Sequence, residues 1–538
     1  MDNPIALTIV VLSIFLTMYI SYYNRRYART TAEFYVAGGK IPWRLNGVAM
    51  LGDYCSAASF LGVAGAVALV GVDGWWLALG FFAAWIVLLL VMAGPLKSVG
   101  KYTVADVLAA RFGEKERGIR IVAMLSTLVL CMFYLVPQIV GAGHLFKLLL
   151  GWDYLPTVLA TGTLMAAYVI MGGMRGTTYN QAIQGIVLFG AMLLLLIAVS
   201  VTHFGGNPLA IIDKGQEMVP PAVVAKEEGA VEMLAQMETA EAAAAVTAAR
   251  ELMADAPSAL TPGVQLRDLL NQASLVLGLF LGVLGLPHIL IRFYTVRDAT
   301  AARRSAEFTI WGLAIFYAAV FLVGLAVMYV LYPTLVQLLA EGQTGVARNM
   351  SLPMLGELLG GEVALGIIAA GALAAMLSTS SGLLISATTS LAHDLYAAIL
   401  KPQSTDRERV IFAKTGAGIL AALAIGLAVW LRDQNVAVLV GMCFGIAAST
   451  FAPALVFAVW WTRLTRQAVM AGMGVGLVTS VVFTFARFFN LPDFLGIPVL
   501  ANPALYGVPV AVFTTVLVTY LTKDTGRVEE FLASAHNN

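Results

Sequence analysis

The stretch Met376-Leu-Ser-Thr-Ser-Ser-Gly382 sets four consecutive hydroxyl side chains, Ser378, Thr379, Ser380 and Ser381, inside a long apolar run. A hydroxyl in hydrocarbon is costly unless it finds a partner. Three partners suit it: the carbonyl one turn back on its own helix, a polar group on a neighbouring helix, or a cation that takes oxygen ligands. Other residues able to do chemistry are sparse. Asp53 lies within Met50-Leu-Gly-Asp-Tyr-Cys-Ser-Ala-Ala-Ser59, His288 follows Pro287, Gln138 follows Pro137, and Cys55, Cys131 and Cys443 sit singly in apolar runs. An odd number of cysteines without CxxC spacing makes neither a disulfide framework nor a metal site. One acidic group and scattered histidines do not converge as the acid, base or metal cluster of an enzyme would, so no enzyme and no cofactor is expected.

These residues are carried by membrane helices. Of 538 residues, 60% are hydrophobic and only 12% charged, against roughly 25% charged in soluble domains. A crossing needs about 20 apolar residues. The expected fold is an all-α membrane protein with thirteen such runs, at 4–23, 44–70, 75–96, 120–149, 155–172, 181–203, 269–291, 307–333, 362–391, 411–431, 436–461, 467–486 and 503–521. The first run has no basic segment before it and Arg25 and Arg26 after it, so it reads as a retained helix rather than a cleaved signal. Loops after the odd-numbered runs hold most of the Lys and Arg, including Arg25, Arg26, Arg29, Lys115, Arg117, Arg120, Arg303 and Arg304. By the positive-inside rule that side is cytoplasmic, with the N-terminus outside and the C-terminus inside. Trp75, Trp76, Trp460 and Trp461 fall at run ends and read as interfacial anchors. A net charge of +1 gives no reason to expect a nucleic-acid partner.

Two runs have an unusual texture. The second contains Asp53 and small residues near its middle, and the seventh contains Gly278-Leu-Phe-Leu-Gly-Val-Leu-Gly-Leu-Pro287. Gly, Pro and polar groups at membrane depth suit unwound helices lining a buried site. Five runs apart, they start from opposite sides, so runs 2–6 and 7–11 form two inverted five-helix repeats with broken first helices, a LeuT-like arrangement. The implied organisation is an extra helix and cytoplasmic loop (1–43), a first repeat (44–204), an external loop with one amphipathic helix over Ala225–Ala256 (205–267), a second repeat (268–461), and two C-terminal helices with a short tail (462–538). A carboxyl at membrane depth costs about 2.5–3.5 kcal/mol on insertion scales. Asp53 could pair with a base, take up a proton, or hold unwound backbone.

The segments "GDYCSAASFLG", "GGMRGTTYNQAIQG" from Gly172, "GLPHILIRFYTVRDATAARRS" from Gly285 and "MLSTSSGLLISATTSLAHDLY" from Met376 resemble the sodium:solute symporter family, and within it the acetate-permease-like branch of monocarboxylate transporters. The resemblance covers residues 44–461 and implies Na⁺ and substrate held near the bilayer midplane. In that family a hydroxyl pair precedes the Asp of an Asp-(Ile/Leu)-Tyr ending by fifteen residues. Here that Asp is Asp394, which selects Thr379 and Ser378 as Na⁺ ligands, with the carbonyls of Ala375, Gly52 and Cys55. The likeness has two departures. Where some members carry an Asp near the cation, anchoring on Gly62 puts Tyr54, with Asp53 one residue earlier. Where members with a second cation site carry an Asp three residues before the residue matched by Gln184, this chain has Gln181. One Na⁺ per substrate is therefore expected, with Asp53 and Gln181 as possible coupling or proton sites.

The family's substrate positions fall on Tyr54, Ser56, Ser59, Leu279, Gly282 and Val283. Small aliphatic groups from the seventh run leave a compact pocket, suited to a short carboxylate such as acetate met by free helix N-termini. The resulting expectation is Na⁺-coupled symport of a small monocarboxylate by alternating access in a bacterial cytoplasmic (inner) membrane, drawing on the Na⁺ gradient and the membrane potential. Proton-coupled symport through Asp53 is the alternative, and a channel or a membrane sensor the reading from another class. His288 and Gln138 read as structural.

Overall fold

The computed structural model describes residues 3–113, 116–237, 242–263, 268–432 and 436–536. Apart from one two-residue strand pair, Asp493–Phe494 with Ile497–Pro498, regular structure among them is helical. In chain order the elements that matter are α1 (Pro4–Asn24), α2 (Trp43–Tyr54), α3 (Val63–Val70), α4 (Val72–Val91), α5 (Val104–Phe112), α6 (Arg117–Leu150), α7 (Tyr154–His203), α8 (Leu269–Gly282), α9 (Pro287–Leu290), α10 (Ala299–Val330), α11 (Thr344–Asn349), α12 (Ser351–Ser390), α13 (Asp406–Trp430), α14 (Val436–Trp460), α15 (Arg466–Phe488) and α16 (Ala504–Leu521).

Eleven helices among the described residues are long and apolar enough to cross a membrane, and α2 with the segment Ala58–Val70, bent by 63°, makes a twelfth span. The thirteenth hides inside α7, whose Gly173 takes φ 53°, ψ −160°, a backbone that an L side chain rarely adopts. Contacts with α1 establish that the chain reverses there. Tyr168 hydrogen-bonds Thr17 at 2.6 Å, a Cβ on Gly172 would lie against Ser21, and Asn180 returns to Ser21 at 2.7 Å. The expected thirteen crossings are thus present, with one difference: residues 174–180, left between runs by hydropathy because of Arg175 and a polar stretch, continue the helix. α1 itself is built into the bundle, with Ala6 against Gly366 of α12.

Both expected breaks occur. α2 ends at Tyr54, with Cys55 at φ −72°, ψ 80°, before the chain resumes a helical course toward α3. α8 runs through a short 3₁₀ turn, Val283–Gly285, to an extended Leu286 (φ −82°, ψ 108°) before α9. The architecture is the inverted pair of five-helix units, α2–α7 and α8–α14, each opened by a broken helix. Glycine allows the first unit to close on its own start. A Cβ on Gly52 would stand 2.2 Å from the Gln181 carbonyl and 2.9 Å from Gly185, so α2 and the second leg of α7 meet backbone to backbone.

On the Lys/Arg-rich face the ends of α5, α6 and α12 are clasped. Arg120 bridges Asp106 (2.9 Å) and Asp394 (2.7 Å), and His393 reaches Asp106 at 3.0 Å. Burial pushes the Asp106 carboxyl up, but His393 and Arg120 outweigh it and hold the group well below the usual carboxylate range. Asp106, His393 and Asp394 come close enough together to suggest a metal site. Arg120 is bonded to both carboxylates and His393 to Asp106, so these groups are already engaged with one another.

The opposite face departs from expectation. The segment read as a single amphipathic helix over Ala225–Ala256 is broken into Glu228–Ala235 and Ala242–Leu252, preceded by Ala210–Glu217 and Pro221–Val224; residues 238–241 lie outside the described residues. Pro220-Pro221 separates the first two of these short helices, and the segment is tied to the bundle on either side. Tyr332 donates to the Val219 carbonyl at 2.5 Å, and Val72 N donates to the Ala259 carbonyl at 2.8 Å. Trp75, at the start of α4, is partly buried: its indole lies tilted against Phe321 at 4.8 Å and donates to the Tyr317 carbonyl. Trp460, 53% exposed, keeps the edge position.

The Gly52 contact supplies a stability test. Gly52→Ala forces backbone apart and should cost about 1–3 kcal/mol, read as a lowered unfolding temperature in detergent. Gly190→Ala, on the same α7 leg with nothing within 4 Å of the added Cβ, should leave it unchanged or slightly raised.

Candidate functional site

The break in α2 exposes backbone that hydrocarbon cannot satisfy; side chains from α12 and α6 meet it, and one from α7 braces α12. Ser378 Oγ on α12 lies 2.7 Å from the Gly52 carbonyl and 2.9 Å from its own-helix Ala375 carbonyl, its one proton shared between them. Thr379 Oγ1 donates to the Asp53 carbonyl at 2.6 Å. Gln181 Nε2 on α7 donates to the Ser378 carbonyl at 2.8 Å. Beyond the break, Gln138 Oε1 on α6 accepts from Ala57 N at 3.2 Å, capping the start of the second half. Ser378, Thr379, Ala375 and Gly52 are thus brought together as a cluster of neutral oxygens, with Cys55 at the turn that ends α2.

Ser380 and Ser381 behave differently from their neighbours. Their hydroxyls return to Met376 and Ser378 carbonyls on their own helix, at 2.6 and 2.8 Å. Of the four hydroxyls, the first two reach across to another helix and the last two do not.

The Asp53 side chain lies beside this cluster, next to Gly382 one turn along α12 from Ser378. Its Oδ2 takes a hydrogen bond from Arg292 Nε at 3.2 Å, both side chains being fully buried. Arg292, which the sequence reading passed over, stands just after α9, and its Nη1 donates to Thr178 at 2.7 Å. The ion pair therefore joins the break of the first repeat to that of the second. Gly382 makes room for it: a Cβ there would sit 2.3 Å from Asp53 Oδ1. The signal for Arg292 was an arginine five residues beyond a helix-breaking proline, directly at the end of an apolar run.

On the other side of the break the expected substrate positions border an aromatic cluster. Tyr54 packs edge-on to Trp85 (5.2 Å), Phe81 (6.2 Å) and Phe444 (6.3 Å), and Tyr134 joins Phe444 at 5.8 Å. Gly282 lies against Phe444, and Leu279 against Gly80. Ser59 shares a hydrogen bond with Tyr317 at 3.0 Å, and Ser56 and Val283 are buried. The α4, α6, α10 and α14 aromatics were not among the expected residues, because an aromatic in an apolar run reads as ordinary core. His288 is buried edge-on to Tyr134 at 5.3 Å.

The fully desolvated ion pair makes a sharp expectation. Removing one partner strands a buried charge, at about 3–5 kcal/mol, so Asp53→Asn and Arg292→Gln should each fold poorly. The double variant should recover most of the lost unfolding temperature in detergent.

Comparison with known proteins agrees with this architecture. The model of the sodium:solute symporter family matches residues 34–476. An uncharacterized symporter of Bacillus subtilis (strain 168), YwcA, is 37% identical over 533 residues, 97% of this chain and 95% of the relative. Among solved structures, a Na⁺-coupled sialic acid symporter in a substrate-bound outward-open state superposes with TM-score 0.72 at 16% identity, covering 97% of this chain and 99% of that one. The nucleobase-cation-symport-1 transporter Mhp1, closed on a bound hydantoin, gives 0.54 at 13% identity, covering 93% and 98%. Those two likenesses establish the fold, and the sequence matches establish the lineage: the chain belongs to the sodium:solute symporter family, and is a membrane transporter rather than an enzyme.

Proposed function

We propose that this transporter carries a small monocarboxylate such as acetate together with one Na⁺, by alternating access, across a bacterial cytoplasmic membrane with its N-terminus outside. The observation that carries the reading is the reach of Ser378 and Thr379 across to the carbonyls of Gly52 and Asp53 at the end of α2. Hydroxyls and freed carbonyls are the ligands Na⁺ takes at broken transporter helices. Ser378 Oγ, Thr379 Oγ1 and the carbonyls of Ala375, Gly52 and Cys55 would hold the ion, tying α12 to α2. Pairing of Asp53 with Arg292 supports Na⁺ over proton coupling, since the carboxylate is already engaged by a guanidinium.

The substrate follows from what surrounds the break. Tyr54, Phe81, Phe444, Leu279 and Gly282 pack beside the break with Ser56 and Ser59 buried near them, an apolar lining with two small hydroxyls that suits a short alkyl carboxylate once the helices part. Na⁺ binding that draws α2 and α12 together favours substrate binding, and each ligand raises the other's affinity by the same factor. One Na⁺ with one monoanion moves no net charge, which revises the expected role of the membrane potential: the chemical gradient of Na⁺ is the driving force.

Acetate uptake into proteoliposomes should follow an imposed Na⁺ gradient, ignore a proton gradient, and be unchanged by a potassium-diffusion potential. Ser378→Ala should raise the Na⁺ concentration for half-maximal uptake about tenfold, the equivalent of roughly 1.4 kcal/mol, and Thr379→Ala similarly. Uptake indifferent to Na⁺, or unaffected by the paired substitution, would overturn the reading.

A further inference from the structure

On the face opposite the Lys/Arg-rich loops, the outside by the charge rule, a cavity of about 440 Å³ opens between the start of α4, the end of α3, α8 and α11. Its position relative to the aromatic cluster is set by helical spacing. Leu77 and Leu275, which line it, stand one turn outward of Phe81 and Leu279 on the same helices, and side chains four apart share a face. Ala66 of α3 stands two turns outward of Ser59. The cavity therefore sits directly above the site proposed for the substrate.

Its walls are mostly apolar, with two cations. Arg348 of α11 lines the cavity, and its Nε is anchored to the Gly62 carbonyl at 3.3 Å. Among the described residues its two Nη groups make no hydrogen bond. Lys226, from the external segment, also lines the cavity, and its ammonium has no partner among those residues. Asp73 is the acidic group on the wall; it accepts from Gly263 N at 2.8 Å. Arg348 is held firmly in place, because α11 presses so close to α3 that a Cβ on Gly65 would fall 1.8 Å from the Arg348 carbonyl.

We propose that this cavity is an outer recognition site for organic carboxylates, with the Arg348 Nη groups binding the carboxylate and the Leu69, Leu77, Leu275 and Leu339 walls taking the alkyl chain. A guanidinium anchored through Nε keeps the fork of Nη donors that pairs with a carboxylate. The inference rests on the monocarboxylate reading above and deepens it. At about 440 Å³ the cavity holds chains far longer than acetate, so the outer site accepts carboxylates that the compact inner space rejects. Such compounds act as blockers that bind without being carried.

The test uses the full chain in proteoliposomes under a Na⁺ gradient. Arg348→Gln should raise the KM for acetate about tenfold with kcat within twofold of the parent, and Arg348→Lys should fall between. Hexanoate should inhibit acetate uptake competitively without being accumulated and lose about tenfold in potency in Arg348→Gln; chloride at matched ionic strength should not inhibit. An unchanged KM in Arg348→Gln, or a loss of kcat and thermal stability with KM intact, would overturn the proposal and leave Arg348 as a brace for Gly62. If the parent carries no acetate, the functional reading fails by itself. Calorimetric titration of parent and Arg348→Gln with hexanoate then decides the outer site alone: loss of binding in the variant supports it, and equal or absent binding in both sinks it.

Discussion

A helix that stops halfway through a bilayer leaves amides and carbonyls that hydrocarbon cannot satisfy, at several kilocalories per mole for each group left unpaired. The rest of this structure answers that constraint. The break at Cys55 is met by Ser378 and Thr379 from α12 and by Gln138 from α6, while Gln181 of α7 braces the Ser378 carbonyl. Partners come from both inverted repeats, so the break is where the two halves of the molecule are stitched together. A substitution there acts on the assembly as well as on any ligand.

The Asp53–Arg292 pair adds a second stitch of a different kind. The hydroxyl contacts are neutral and individually modest, about 1 kcal/mol net each, whereas the buried charges are strongly destabilising only when separated. Such a pair is weak evidence for stability but firm evidence that the two broken helices keep one relative position in this conformation. It also engages one oxygen of the Asp53 carboxylate with a guanidinium, and the proposed ligand set is the five neutral oxygens.

What was legible in the sequence came in two parts. Burial cost marked the hydroxyl run 378–381 and Asp53 as groups needing partners, the family resemblance singled out Ser378, Thr379 and Gln181, and all four lie at or beside the break. Inverted repeats were legible because Gly and Pro at Gly52, Gly285 and Pro287 mark breaks at matching positions. Arg292 was missed because the seventh run was drawn to end at residue 291, one position short of it, which left the arginine with the loop cations. The aromatic cluster was invisible for a different reason: Phe81, Tyr134 and Phe444 gain their meaning from convergence of three helices distant in sequence. The segment 225–256 was overread as one helix because Ala and Glu favour helix locally, whereas the chain forms two shorter ones, Glu228–Ala235 and Ala242–Leu252.

The cluster of oxygens constrains how coupling can work under the proposed mechanism. Swinging a conformational equilibrium from 1:99 to 99:1 needs about 5.5 kcal/mol of differential binding. The Ser378 and Thr379 hydrogen bonds, at about 1 kcal/mol each, fall short of that, so on their own they leave α2 and α12 free to separate. An ion engaging five oxygens at once, on both helices, can supply the difference, and it does so only while the helices are together. The modest strength of the hydroxyl contacts is then a requirement: stronger ones would hold the bundle closed without the ion, and the substrate would move uncoupled.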